Sequence, residues 1–190
     1  MTPETDSRPP APEPLRLVQE FVNTRDIEDD VDRIGSPDGL ASWLAEQGLS
    51  AGESRLRRED VAGAVELREG LRGLLRANAG RELDPAAVAA VNRAGEHSAL
   101  RMYIDPAGEA SLDPASRRGV SPALGRILAT MYAAMADDTW ERLKVCRAED
   151  CEWAFYDRSK NRSGQWCEMA VCGCRNKVRA FRARQGGSAA

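Results

Sequence analysis

At 190 residues with a net charge of −3, the chain has room for one helical domain with a sizeable core plus a small attachment, and not for much more. No run approaches the roughly 18 consecutive apolar residues of a bilayer span, and the N-terminus lacks the basic-then-apolar order of a secretion signal, so the expected setting is the cytoplasm, away from membranes. The small net charge hides an asymmetry: Lys144 to Arg184 holds ten basic and five acidic residues, which leaves −8 on the remainder.

Residues 1–14 contain five of the ten prolines among small and charged residues and read as a flexible leader. From Leu15 the chain places Val18, Phe21 and Val22 on one helical face before the polar break Asn23-Thr24-Arg25-Asp26. Of these, Asn23, Thr24 and Arg25 are candidates to line a ligand pocket, with capping and packing the structural role that the pattern favours. Ser36-Pro37 is an N-cap followed by proline in the first turn, with Leu40, Trp43 and Leu44 on one side and Gly48 as the stop. A longer helix is predicted from about Glu59 to Asn78, with Val61, Val65, Leu67, Leu71, Leu74 and Leu75 as its apolar stripe. Asp84-Pro85 starts another, carrying Val88 and Val91.

Leu100 to Ile104 alternates like a half-buried strand, and Asp105-Pro-Ala-Gly108 is turn chemistry leading into a short return, so a small hairpin is expected. Ser121-Pro122 then opens a helix predicted to run to about Arg142, with Leu124, Ile127, Leu128, Met131 and Met135 facing inward. The fold class is therefore mainly α: a helical N-terminal domain over 15–143 with one small β-hairpin, then a C-terminal module over 144–184, then a flexible tail over 185–190.

All five cysteines lie in that module, as Cys146-x4-Cys151, then Cys167-x4-Cys172, then Cys174. Two close pairs separated by a short insert is how a tetrahedral thiolate site is assembled, each pair supplying two ligands from one tight loop. A segment this small lacks the apolar area to fold alone, whereas structural Zn²⁺ contributes on the order of 10 kcal/mol. Disulfides are the disfavoured alternative in a cytoplasmic chain. The expected ligands of one zinc ion per chain are Cys146, Cys151, Cys167 and Cys172, with Cys174 the competitor for the last place. Val171, Cys174, Val178 and Phe181 recur at the 3-4-3 spacing of a helix seam, which marks Cys174 as a packing residue. His97, the only histidine, is remote and reads as a surface residue.

A closed four-thiolate site has no open coordination position and cannot activate water, so its zinc is structural. Between the pairs, Trp153 and Phe155 alternate, and the polar turn Ser159 to Gly164 returns to Trp166; this reads as a hairpin whose aromatics pack beside the metal. Beyond it, Arg175, Lys177, Arg179, Arg182 and Arg184 supply five positive charges and no negative one, the footprint of a helix that meets phosphates in double-stranded DNA. The sequence offers no Gly-rich phosphate loop or histidine relay, and an enzyme is not expected.

Across Cys146-x4-Cys151-x-Trp153-x-Phe155-x-Asp157-x-Ser159-x-Asn161-x-Ser163-x-x-Trp166-Cys167-x-Met169-x-x-Cys172-Gly173, the chain resembles the CGNR zinc-finger proteins of bacteria. The upstream Phe21-Val-Asn-Thr-Arg25 and Glu66-Leu-Arg-Glu-Gly-Leu-Arg72 segments resemble the ABATE domain that accompanies this finger. The resemblance implies a stress-related transcription regulator. The first reading is accordingly that the finger's helix binds DNA while the body senses a small-molecule effector or mediates self-association as a homodimer. The other class kept open is a protein-interaction or redox-responsive zinc module in which the arginines meet an acidic partner, the acidic body included. One departure stands out: the name-giving Cys-Gly-Asn-Arg reads Cys172-Gly173-Cys174-Arg175 here. It bears on the start of the basic helix and not on the metal site.

Overall fold

The computed structural model describes residues 10–49, 55–115 and 119–186. Helix α1 (Arg16–Val22) buries Val18, Phe21 and Val22, the face expected from their spacing. The polar break after it contains a two-residue hairpin, β1 (Arg25–Asp26) with β2 (Val31–Asp32). Its turn is held by Asp26 Oδ1, which accepts from the Glu28 and Asp29 amides at 3.0 and 3.1 Å.

Helix α2 (Pro37–Glu46) starts as expected: Ser36 Oγ accepts from the Gly39 amide at 3.1 Å, and Leu40, Trp43 and Leu44 are buried. Gly48, at φ +67°, ends the segment in the left-handed region that glycine tolerates. Helix α3 (Arg58–Asn78) is the spine of the fold, packed against α1, α2 and α4 (Pro85–His97). Its core face carries Leu67, Leu71 and Leu75, and interleaved with these are Arg68 and Arg72, both buried.

The predicted hairpin is present as β3 (Leu100–Ile104) paired antiparallel with β4 (Ala110–Pro114). Helix α5 spans Val120–Ala136, so it begins one residue before Ser121, behind Gly119 at φ +94°, and stops six residues short of the expected Arg142. The stop is local: Asp138 takes φ +61°, and a 3₁₀ turn, Trp140–Arg142, redirects the chain. Leu124, Ile127 and Leu128 face the core, whereas Met135 is exposed, because the helix runs past the core at that end.

The module does not hang from the body as a separate attachment. Strand β5 (Leu143–Val145) straddles the expected boundary, packs on α3 and pairs with β6 (Ala154–Tyr156). Leu143, Val145 and Ala154 belong to the same apolar core as α1–α3. The leader also starts the ordered body earlier than expected: Ala11 is buried and its amide donates to Gln19 Oε1 at 2.6 Å. A five-residue π-helical segment (Met169–Gly173) leads into α6 (Cys174–Gly186), which takes in the first two residues of the expected tail. Residues 1–9 of the leader and 187–190 of the tail, and the side chains of Phe181 and Arg184, lie outside the described residues.

Candidate metal centre and basic helix

The β5–β6 hairpin makes the first half of the site. Cys146 follows β5 directly, and its amide donates to the Trp153 carbonyl at 2.9 Å, so the six residues from Cys146 to Cys151 form a closed knuckle at the hairpin end. Inside it the Cys151 and Glu152 amides both donate to the Ala148 carbonyl at 3.0 Å. The second half is reached through the loop after β6 and is tied to the first by the Arg147 amide, 2.9 Å from the Gln165 carbonyl.

Together these bring the sulfurs of Cys146, Cys151, Cys167 and Cys172 within 4.8 Å of one another, with Cys151 to Cys167 and Cys167 to Cys172 each at 3.7 Å. Those separations are far too long for a disulfide. They match the roughly 3.8 Å edge of a tetrahedron built on Zn–S bonds of about 2.3 Å. The four thiols perturb one another: hydrogen bonds to Cys151 and Cys167 pull the Cys146 thiol down, those to Cys146 and Cys167 push Cys151 up, and burial beside the other sulfurs pushes Cys172 up to about 12. Four thiols this close resist full ionisation until a cation joins them, and the donor set fits one structural zinc ion.

Cys174 is not in this set. It is exposed, as are Val171 and Val178, so these three positions of the expected seam are not buried. The periodicity was genuine helix periodicity; α6 lies on the outside of the fold and leaves that stripe uncovered. A β-carbon at Gly173 would crowd Trp166 Cδ1 at 3.2 Å and press on Met169 Sδ, near the end of an exposed side chain that can move aside.

The aromatic hairpin expected between the cysteine pairs is also rearranged. Trp153 and Trp166 do pack on the cysteine cluster, but the partner of the Trp153–Phe155 strand is β5, not a strand at Trp166. The segment from 157 to 164 is a loop wound round one carboxylate. Asp157 Oδ1 accepts from the Ser159 amide at 2.9 Å, while Oδ2 accepts from the Gly164 amide at 2.7 Å and from Lys144 Nζ at 2.8 Å. Burial works against the charge, but these bonds outweigh it and hold the Asp157 carboxyl down at about 2.

The candidate pocket residues serve as a joint. The Asn23 side chain donates to the Ala154 carbonyl at 3.0 Å and accepts from the Ala154 amide at 2.7 Å, so it pairs with β6 as a strand would. Thr24 Oγ1 donates to the Phe21 carbonyl at 2.7 Å, and Arg25 pairs with Asp30.

Sequence reasoning missed the strongest part of this joint. Arg72, fully buried, donates to the Glu152 carbonyl at 2.9 Å, the Val22 carbonyl at 2.8 Å and the Arg25 carbonyl at 3.2 Å. Arg76 and Arg81 take the Glu152 carboxylate, and Arg68 forms a two-pronged pair with Asp32 at 2.7 and 2.9 Å. Burial alone would raise the Glu152 carboxyl, but the Arg76 hydrogen bond and the charges of Arg76, Arg81 and Arg72 hold it below the usual carboxylate range. The signal was the i, i+4, i+8 spacing of Arg68, Arg72 and Arg76 beside the leucine stripe.

On α6 the predicted cations divide. Arg175 pairs with Glu28 of the β1–β2 turn at 2.6 Å, and Arg179 with Asp150 of the knuckle at 2.7 Å. Lys177 and Arg182 are exposed and have no carboxylate partner among the described residues.

Two family models match the chain. The ABATE family, described as "Putative stress-induced transcription regulator", matches residues 15–141, and the CGNR zinc finger matches residues 142–185. No curated protein matches the chain.

Proposed function

The chain belongs to the ABATE family and ends in a CGNR zinc finger, and from that premise we propose that it is a cytoplasmic, non-enzymatic transcription regulator that binds double-stranded DNA through α6. The observation that carries the reading is the mounting of the helix. Cys172 is both a zinc ligand and part of the π-helical segment from which α6 begins, so the metal fixes the direction of a helix with five cations and no carboxylate between Arg175 and Arg184. Rigidly held cations at that spacing suit a phosphate backbone, which gains from counterion release, and an α-helix fits the major groove.

The zinc is structural in this reading, since four thiolates fill its coordination shell. The body's part is to hold the finger and to answer an effector. No described helix is long and apolar enough to cross a membrane.

A protein-interaction reading is favoured by one observation, the pairing of Arg175 and Arg179 with Glu28 and Asp150. Both pairs are exposed, however, and exposed ion pairs are weak enough for a phosphate to displace the carboxylate. Selection from a random-sequence duplex pool by the zinc-loaded protein at low salt separates the two. Enrichment of a shared site, weakened by salt, supports the regulator; no duplex binding at any salt concentration refutes it.

A further inference from the structure

Among the described residues, the β3–β4 hairpin presents the largest group of exposed apolar side chains that is contiguous in sequence: Met102 is 73% exposed, Tyr103 55% and Ile104 51%. Its alternation is strongly sided. Leu100, Met102 and Ile104 share one face with their cross-strand partners Pro114, Leu112 and Ala110, all apolar; α5 packs on β4 and reaches β3 at Leu100, beside Gly125, leaving Met102 and Ile104 exposed. The other face carries Arg101 and Tyr103 with Asp113 and Ser111.

The outer edge of β3 has no strand neighbour among the described residues. Natural edge strands are ordinarily blunted by proline, lysine or a bulge, and a two-stranded ribbon on its own is marginal. β3 reads Leu-Arg-Met-Tyr-Ile, with no proline, unbroken register over its five pairs and one charge, Arg101, that a partner strand would have to match. Such an edge is built to be covered.

We propose that the β3 edge is a homodimer interface, in which two copies join β3 to β3 antiparallel about a two-fold axis through Tyr103, giving a four-stranded sheet β4-β3-β3-β4. The occupant is argued from charge and face. With Tyr103 opposite its own copy, Met102 meets Ile104 and Arg101 meets Asp105, so apolar residues oppose apolar ones and the opposite charges pair. Centring the axis on Met102 would instead set Arg101 against Tyr103 and leave Asp105 unmatched. The interface is on the body, far in sequence from α6, and its test does not involve DNA. Combined with the DNA-binding reading, it calls for operators with two half-sites related by a two-fold.

The test uses the full-length, zinc-loaded chain. Sedimentation across a dilution series should show a concentration-dependent rise from the 20.7 kDa monomer to twice that mass. Met102→Lys with Ile104→Lys should abolish it, and Arg101→Asp, which sets like charges opposite each other, should weaken it. Register is read by Tyr103→Cys in a Cys174→Ser background. Residues directly opposite in an antiparallel pair have Cα atoms about 4.5–5.5 Å apart, within disulfide range. Mild oxidation should therefore cross-link Tyr103→Cys and not Ser111→Cys. A chain that stays monomeric throughout overturns the proposal, as does a dimer that survives both lysines or cross-links through Ser111→Cys.

Discussion

Replacing Arg72 with Met is the sharpest test of how the body holds the metal centre. Methionine fills a similar volume, so the packing loss is small, and the cost is electrostatic. Arg72 is fully buried and its guanidinium supplies donors to three main-chain carbonyls, Glu152, Val22 and Arg25, and to the Glu69 carboxylate at 3.1 Å. Burial pulls its pKa down, yet from so high a starting point that it stays charged at neutral pH. A hydrogen bond to a charged group is worth about 1.5–3 kcal/mol, and breaking a buried charged network by removing one member typically costs about 3–5 kcal/mol. Against a total stability of about 5–15 kcal/mol, a loss of about 3–5 kcal/mol would be conspicuous in urea unfolding followed by circular dichroism. The Glu152 carbonyl follows Cys151 directly, so zinc should also pass to a chromophoric chelator about 10–100-fold faster. Arg72→Lys should rescue only part, because an ammonium cannot reach all three carbonyls. A Met variant within about 1 kcal/mol of the parent with unchanged zinc transfer would refute the reasoning.

Three further outcomes follow from the site. Cys174→Ser should keep one zinc per chain by metal analysis, while Cys151→Ser and Cys167→Ser should lose it; equal loss in all three would overturn the ligand set. Arg179→Ala with Arg182→Ala should flatten the log–log salt dependence of duplex binding by about 1.8 if both touch phosphate, with zinc content unchanged; an unaltered slope would remove these side chains from the interface. Asp157→Asn tests the loop carboxylate. Its folded pKa of about 2 lies below the ordinary aspartate value, so its stabilisation is fully present above about pH 4 and is lost as pH falls towards 2. The variant should therefore be at least about 2 kcal/mol less stable at neutral pH, where the zinc ligands are held as thiolates, and a urea midpoint unchanged from the parent would contradict the assignment.

The cysteine site was legible because metal geometry constrains sequence spacing directly: two Cys-x4-Cys loops can close on one ion almost regardless of what surrounds them. The helices of the body were legible wherever a stop or start had local chemistry, as at Ser36-Pro37 and Asp84-Pro85. Legibility failed where the outcome depended on distant neighbours. The stripe Val171-Cys174-Val178 has the period of a buried seam, but period says nothing about whether another element lies over it. The aromatic strand after Cys151 was recognised while its partner was misplaced, because β5 precedes the first ligand and is only three residues long. Arg68 and Arg72 were assigned no role, since their spacing beside the leucine stripe does not by itself reveal that Asp32 and three carbonyls await them in the core.

That last failure carries the main lesson about how the two parts of the chain are joined. Buried guanidinium groups are costly, and Arg72 is tolerable only with all of its acceptors in place. One acceptor comes from α1, one from β1 and one from the zinc knuckle. Asn23 repeats the arrangement from the other side, matching both main-chain groups of Ala154. Each half thus satisfies polar groups that the other half buries, and Leu143, Val145 and Ala154 complete a core that the body alone would leave open. A zinc site built this way is not a bead on a string. The zinc knuckle is bonded to α3 through Arg72 and Arg76, Arg72 is bonded in turn to the Arg25 carbonyl of β1, and Glu28 of the β1–β2 turn pairs with Arg175 of α6.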